Sequence, residues 1–447
     1  MASPAEWVGR LNRDVKARNA RWTFVGDHRF GEALTLRRFR LGNGLTLLTL
    51  VDRSAPTISY HTWFRVGSRD ERVGKTGLAH LFEHLMFNQT RSHAHGEFDR
   101  LMEQAGAEAN AGTWTDWTYY YENAPKSALG RIIELEADRM ANLVLKKPQV
   151  SSEKEVVANE RKLRVEDDVE GKALEMLYAT AFRRHPYRWP TIGWMDDIRG
   201  FSVADCREFY RRHYSPHKAT VVIAGEFDER RALQLVQKHY GGVPGSRPKP
   251  RGPLPKEPPQ RAERVLELKA PTPTEKVLIG YRVPGFSHPD TPALVLSSEL
   301  LFGGRSSRLH RSFCIDHELA LSVRGSVSPF VDPGLFEMWL FVRQGKRRAD
   351  ALALLDEELT RIGTERPSEG ELEKASSQLE LSFLHGMETA GGKAEQVGFY
   401  ETVLGDGTAM FDRLDAYREV RVDDVQRVVQ KYLRPSRRTR VEIVPDA

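Results

Sequence analysis

The most informative hydrophobic pattern lies in GKTGLAHLFEHLMFNQT, residues 74–90. Leu78, Leu81, Phe82 and Leu85 recur at i, i+3, i+4 and i+7, which predicts a helix. His80, Glu83, His84 and Phe87 form a neighbouring stripe with the same spacing. Most of the helix surface is therefore apolar, and the helix is expected to be buried. A second helix is read in SSEKEVVANERKLRVEDD. There Glu153 and Glu160 stand seven apart, two turns along one face, while Val156 and Val157 face other directions. Strands are predicted in 45–52, 58–66, 274–283 and 335–343, runs rich in Val, Ile, Thr and aromatics. Trp114, Trp117 and Tyr119 to Tyr121 nearly alternate, which fits a strand with one buried face better than a base-stacking surface.

The pattern also divides the chain. Seven of the 24 prolines fall between Pro244 and Pro259, in GGVPGSRPKPRGPLPKEPPQRAE. Proline fixes φ and lacks a donor, so 241–263 reads as an extended, semi-rigid linker. It separates an N-terminal domain, 1–240, from a C-terminal domain, 264–447. The two halves end alike. Each has a basic amphipathic helix ending near Tyr214 or Tyr432, then Pro216 or Pro435, then Thr220 or Thr439 four residues on, then a β-branched run. This repetition suggests a duplicated unit. The expected fold is α+β: two homologous domains, each an antiparallel-rich sheet with helices packed on one side.

Composition narrows the function classes. Of 447 residues, 67 are Lys or Arg and 62 are Asp or Glu, a net charge of +5. That near-balance excludes an overtly polybasic nucleic-acid binder. There is no run of about 18 apolar residues, so no membrane span is expected. The N-terminal stretch has no apolar signal core. The chain as it stands reads as cytoplasmic, or as periplasmic if a leader was removed. The two cysteines, Cys206 and Cys314, exclude a disulfide framework and a Cys-rich zinc module. Any metal site must come from the 14 His and the carboxylates.

Three ionisable groups on a buried helix cost several kcal/mol unless paired or bound to a metal. Histidines four apart, such as His80 and His84, project from one face and can converge on one ion. Glu83 would sit beside that ion, placed to take a proton from bound water. The bland alternative is a pair of core histidines hydrogen-bonded to Glu83. A catalytic zinc needs a third protein ligand and an open position. Glu160 is the best downstream candidate, although Glu-rich helices are commonly solvated and spacing alone leaves this open. His93 and His95 read as a solvated loop, and Gly303-Gly304 lacks the P-loop pattern.

His80-Leu81-Phe82-Glu83-His84 has the His-x-x-Glu-His order, the reverse of the zincin helix. Followed after 75 residues by Glu160, it resembles the zinc site of the insulinase/pitrilysin superfamily. The chain length resembles the shorter members, such as the mitochondrial processing peptidase and its bacterial relatives. The resemblance covers nearly the whole chain, through RVGSRDERVGKTGLAHLFEHLMF, AEANAGTWTDWTYYYENAP (107–125), EVVANERKLR and FGGRSSRLHR. It implies a zinc metalloendopeptidase acting on peptides or small unfolded proteins. His80, His84 and Glu160 would be ligands, Glu83 the general base and Glu153 an assisting carboxylate. Asn110 and Ala111 would line an edge strand that holds substrate backbone. Active members also carry an Arg and a Tyr in the C-terminal domain, which stabilise the oxyanion. Here Cys314 and Leu321 stand at those positions. The departure leaves two readings: the chain is slow alone, or, as favoured, a homologous partner chain in a heterodimer supplies the pair and closes a clam-like chamber; a homodimer is the other assembly considered. The alternative is a non-catalytic structural subunit of a larger complex.

Overall fold

Twelve strands form among the described residues: β1 Trp22–Phe30, β2 Leu34–Leu41, β3 Thr46–Val51, β4 Thr57–Phe64, β5 Glu108–Thr113, β6 Thr118–Pro125, β7 Ala219–Gly225, β8 Arg264–Ala270, β9 Lys276–Arg282, β10 Ala320–Val327, β11 Leu335–Val342 and β12 Arg438–Pro445. The computed structural model describes residues 3–31, 34–245 and 252–446. The middle of the expected proline linker, 246–251, lies outside the described residues. The fold is α+β, and it divides into two compact units, each built around one sheet.

The first unit comprises 1–159, 191–253 and 386–411. Its sheet has the order β1-β2-β3-β7-β4-β6-β5. β7 runs parallel to β3 and antiparallel to β4. The second unit comprises 160–190, 254–385 and 412–447, with the order β10-β11-β9-β12-β8. There β12 runs parallel to β8 and antiparallel to β9. Strands β3-β7-β4-β6-β5 thus repeat as β8-β12-β9-β11-β10, with the one parallel pair in the same place. In each unit the strand of that pair that comes last in the chain follows a helix (Val203–His213 or Val422–Tyr432) and a short turn opened by Pro216 or Pro435.

The 107–125 segment is a hairpin rather than a single strand. The chain turns over Thr115 and Asp116, with Trp114 N–H donating to the Trp117 carbonyl at 2.8 Å. Its first arm, β5, is the edge of the sheet.

Helices cover both sides of each sheet, where the sequence pattern suggested one. In β4, the Tyr60 hydroxyl meets that of Tyr240 on helix Glu229–Tyr240 at 2.8 Å, and the Thr62 hydroxyl donates to Glu136 on helix Leu129–Asn142 at 2.9 Å. Trp63, pointing the other way, packs against helix Ala390–Leu404, where a Cβ on Gly398 would overlap the indole. In the second unit, Val277, Ile279 and Tyr281 of β9 join Leu294, Leu355 and Val428 in one core. Leu278, Val441 and Ile443 join Ala173, Leu177 and Ala181 of helix Val169–Ala181 in another. Helices Ala390–Leu404 and Val169–Ala181 come from the far side of the 241–263 segment. The signal for two-sided burial was the near-continuous apolar reading of β7 and β9, without the alternation of a half-exposed sheet.

Gly398→Ala should therefore destabilise the first unit by about 1–3 kcal/mol through overpacking. Gly9→Ala, at a helical position with open space around it, should be neutral or slightly stabilising. Denaturant unfolding of both variants checks this.

Candidate metal centre

Helix Leu78–Leu85 is only eight residues long, and its position comes from packing. Leu81, Phe82 and Leu85 are fully buried. The Phe82 ring lies against Phe209 and Tyr214, with centroids 5.1 and 5.2 Å away. The Tyr120 hydroxyl on β6 donates to the Phe82 carbonyl at 3.1 Å. Burial, with Tyr214 close by, raises the Tyr120 phenol well above its ordinary pKa, so it stays protonated and able to donate. These contacts leave His80, Glu83 and His84 on the remaining face. The rings of His80 and His84 stand 5.0 Å apart at 74°.

Glu160 reaches the same place from helix Lys147–Arg161. One donor atom from each of His80, His84 and Glu160 lies within 4.8 Å of the others. Tetrahedral zinc with bonds near 2.1 Å sets its ligand atoms about 3.4 Å apart, so small side-chain adjustments accommodate an ion. The division between units falls after Asn159, yet Glu160 continues the same helix. It also pairs with Arg164 at 3.0 Å, in the π-helical turn that follows.

Glu153, half-buried on helix Lys147–Arg161, lies beside His84. Its carboxylate is 3.7 Å from His84 Nδ1 and accepts a hydrogen bond from Asn88 Nδ2 at 2.8 Å. Asn88 is a residue the sequence reading missed. Its signal was available: it lies four positions after His84, on the line that carries His80 and His84. The buried Glu122–Arg139–Glu136 group was missed as well. Arg139 pairs with both carboxylates, at 3.3 Å to Glu122, and its guanidinium lies over Phe87, Phe98 and Tyr120. Burial and Glu136 push the Glu122 carboxyl well up, against the pull of Arg139.

The remaining candidates are distributed as follows. Asn110 and Ala111 lie on β5, which pairs with β6 alone among the described residues. Helix Leu78–Leu85 packs against both strands of this hairpin. The Asn110 Oδ1 accepts the Ala111 N–H at 2.8 Å. Cys314 lies in the π-helical segment Arg311–Asp316 of the second unit, half-buried against its core. Leu321 is exposed on β10. Both cysteines are free thiols, and burial pushes that of Cys206 up to about 12. No helix among the described residues is long and apolar enough to cross a membrane.

Residues 47–193 match the insulinase (peptidase family M16) model, and residues 200–379 match the M16 inactive-domain model. The zinc protease PqqE of Helicobacter pylori is 30% identical over 420 residues, covering 93% of each chain. The chain belongs to the M16 peptidase family. The first match spans His80, His84 and Glu160; the second spans Cys314 and Leu321. The chain is also similar to the β subunit of the mitochondrial processing peptidase of Lentinula edodes, 27% identical over 409 residues and covering 88% of this chain and 86% of that one. The crystal structure of a Helicobacter pylori protease superposes with a TM-score of 0.86 at 28% identity, covering 92% of this chain and 99% of that one.

Asn88→Ala should weaken zinc binding about 10-fold, because Glu153 loses the donor that holds it beside His84. Chelator competition measures this. An affinity equal to wild type would show that Asn88 does not support the ligand shell.

Proposed function

We propose that this chain is the metal-bearing subunit of a zinc metalloendopeptidase that cleaves peptides or small unfolded proteins. The observation that carries the reading is the convergence of the His80, His84 and Glu160 donor atoms within 4.8 Å. Two neutral imidazoles, a carboxylate and an open fourth position are the donor set of a hydrolytic zinc. When bound, the ion lowers the pKa of a coordinated water to about 7 and polarises the scissile carbonyl.

The chain's own groups do the rest. Glu83, one residue before His84, takes the proton of the attacking water and returns it to the leaving amine. Glu153 holds the ring of His84. The free edge of β5, at Asn110 and Ala111, receives the substrate as an added strand, with main-chain hydrogen bonds supplying affinity independent of sequence.

Neither the thiol of Cys314 nor the side chain of Leu321 can serve as a strong oxyanion donor. Each such donor is typically worth about 10²–10³ in rate. A homologous partner chain supplies the missing Arg and Tyr, and the two chains together form the closed chamber. That a relative of nearly the same length is named as a subunit supports this arrangement. The competing reading, a structural subunit without activity, is disfavoured by the complete set of His80, Glu83, His84 and Glu160.

Glu83→Gln should retain one zinc per chain and lose about 10²–10⁴ of the peptidase rate. Metal analysis with a quenched-fluorescence peptide assay reads both. Near-full activity in this variant would remove Glu83 from its role. Addition of a homologous chain that carries the Arg and Tyr should raise the rate by at least about 10²-fold. High activity of the isolated chain would refute the split site.

A further inference from the structure

Glu71 lies in the same sequence block as His80 and His84, seven residues before the start of their helix, and its side chain has no part in the proposed chemistry. It is buried. One of its oxygens accepts the Gly77 N–H at 2.8 Å, and the other accepts the Ala79 N–H at 2.7 Å. Gly77 is the N-cap and Ala79 lies in the first turn of helix Leu78–Leu85. His80 is the next residue.

A helix leaves its first four N–H groups without intrahelical partners, and a Ser, Thr, Asp or Asn at the N-cap usually accepts from one of them. Here the N-cap is Gly77, at φ 94°, with no side chain to offer. Nor does the site admit one, because a Cβ on Gly77 would overlap the Ile192 carbonyl. The capping acceptor therefore comes from elsewhere in the chain. The residue before the cap is fixed too. Thr76 donates through its N–H and its hydroxyl to Asp197 Oδ2, at 3.0 and 2.6 Å, and its hydroxyl accepts the Trp194 N–H at 3.0 Å. An eight-residue helix has little stability of its own in water. The direction in which His80 points thus depends on what anchors the first turn.

We infer that Glu71 is a positioning residue of the metal centre, holding the first turn so that His80 and His84 face the same point. The inference rests on the reading of His80, His84 and Glu160 as ligands. Glutamine at this place presents one acceptor and one donor group to two N–H donors, so one buried amide loses its partner.

The test compares full-length Glu71→Gln with wild type and with Asp228→Ala. The control removes a cap of the same kind in the same unit, where Asp228 accepts the Arg231 N–H at 3.0 Å. Zinc affinity from chelator competition should fall about 10–100-fold in Glu71→Gln, the range for lost ligand support, and stay within about 3-fold of wild type in Asp228→Ala. In metal-free protein, amides of 78–85 should exchange with solvent about 10-fold faster in Glu71→Gln than in the control. Unchanged affinity, or an equal fall in the control, overturns the inference. If wild type itself binds no zinc, the metal reading fails, and exchange in the metal-free protein still decides whether Glu71 holds the helix. Should Glu71→Gln not fold, Glu71→Asp carries the same two comparisons.

Discussion

The structure around the candidate metal centre is governed by one constraint: a short helix must carry His80, Glu83 and His84 while embedded in an apolar core. Eight residues give too few internal hydrogen bonds to hold a helix in water. Ionisable groups cost several kcal/mol in such surroundings unless they find partners. The neighbouring elements answer both demands. Phe82, Leu81 and Leu85 bury one side, and Tyr120 ties the Phe82 carbonyl to β6. Glu153 and Asn88 support the far end beside His84. Arg139, with a carboxylate on either side, stiffens the aromatic wall formed by Phe87, Phe98 and Tyr120. Removing Arg139 from such a buried group typically costs about 3–5 kcal/mol, because it leaves buried carboxylate charge without compensation.

A second constraint shapes the two units. Their central strands are apolar on both faces, so each sheet needs cover on both sides. Helix Ala390–Leu404 lies in the first unit and helix Val169–Ala181 in the second, each crossing from the other half of the chain. Neither half of the sequence contains all the residues that bury its own sheet. The close contact of Gly398 with Trp63 and the packing of Leu177 near Gly280 are the local signs of this exchange.

Much of this was legible in the residues alone. The spacing of Leu78, Leu81, Phe82 and Leu85 located the buried helix, and β-branched runs located β3, β4, β9 and β11 within one or two residues. The repeated Pro–Thr pattern before β7 and β12 marked the duplication, which the shared strand order bears out. The β5–β6 hairpin was hidden because Trp114 and Trp117 kept the apolar rhythm going across the turn. Asn88 and Arg139 were hidden for a different reason. A polar residue's partner depends on which elements meet, and Glu122 lies 17 positions from Arg139 on a different element.

The sequence by itself determined the chemistry on offer: two histidines and a glutamate within five residues, and further carboxylates on a later helix. Such features follow from residue type and from short-range helical periodicity. Only the tertiary structure decided that Glu160 reaches His80 and His84, that Asn88 and Glu153 stand behind His84, and that an edge strand runs beside the helix. These relations join residues up to about 80 positions apart. They follow from how sheet and helix faces exclude water together, which no local pattern encodes.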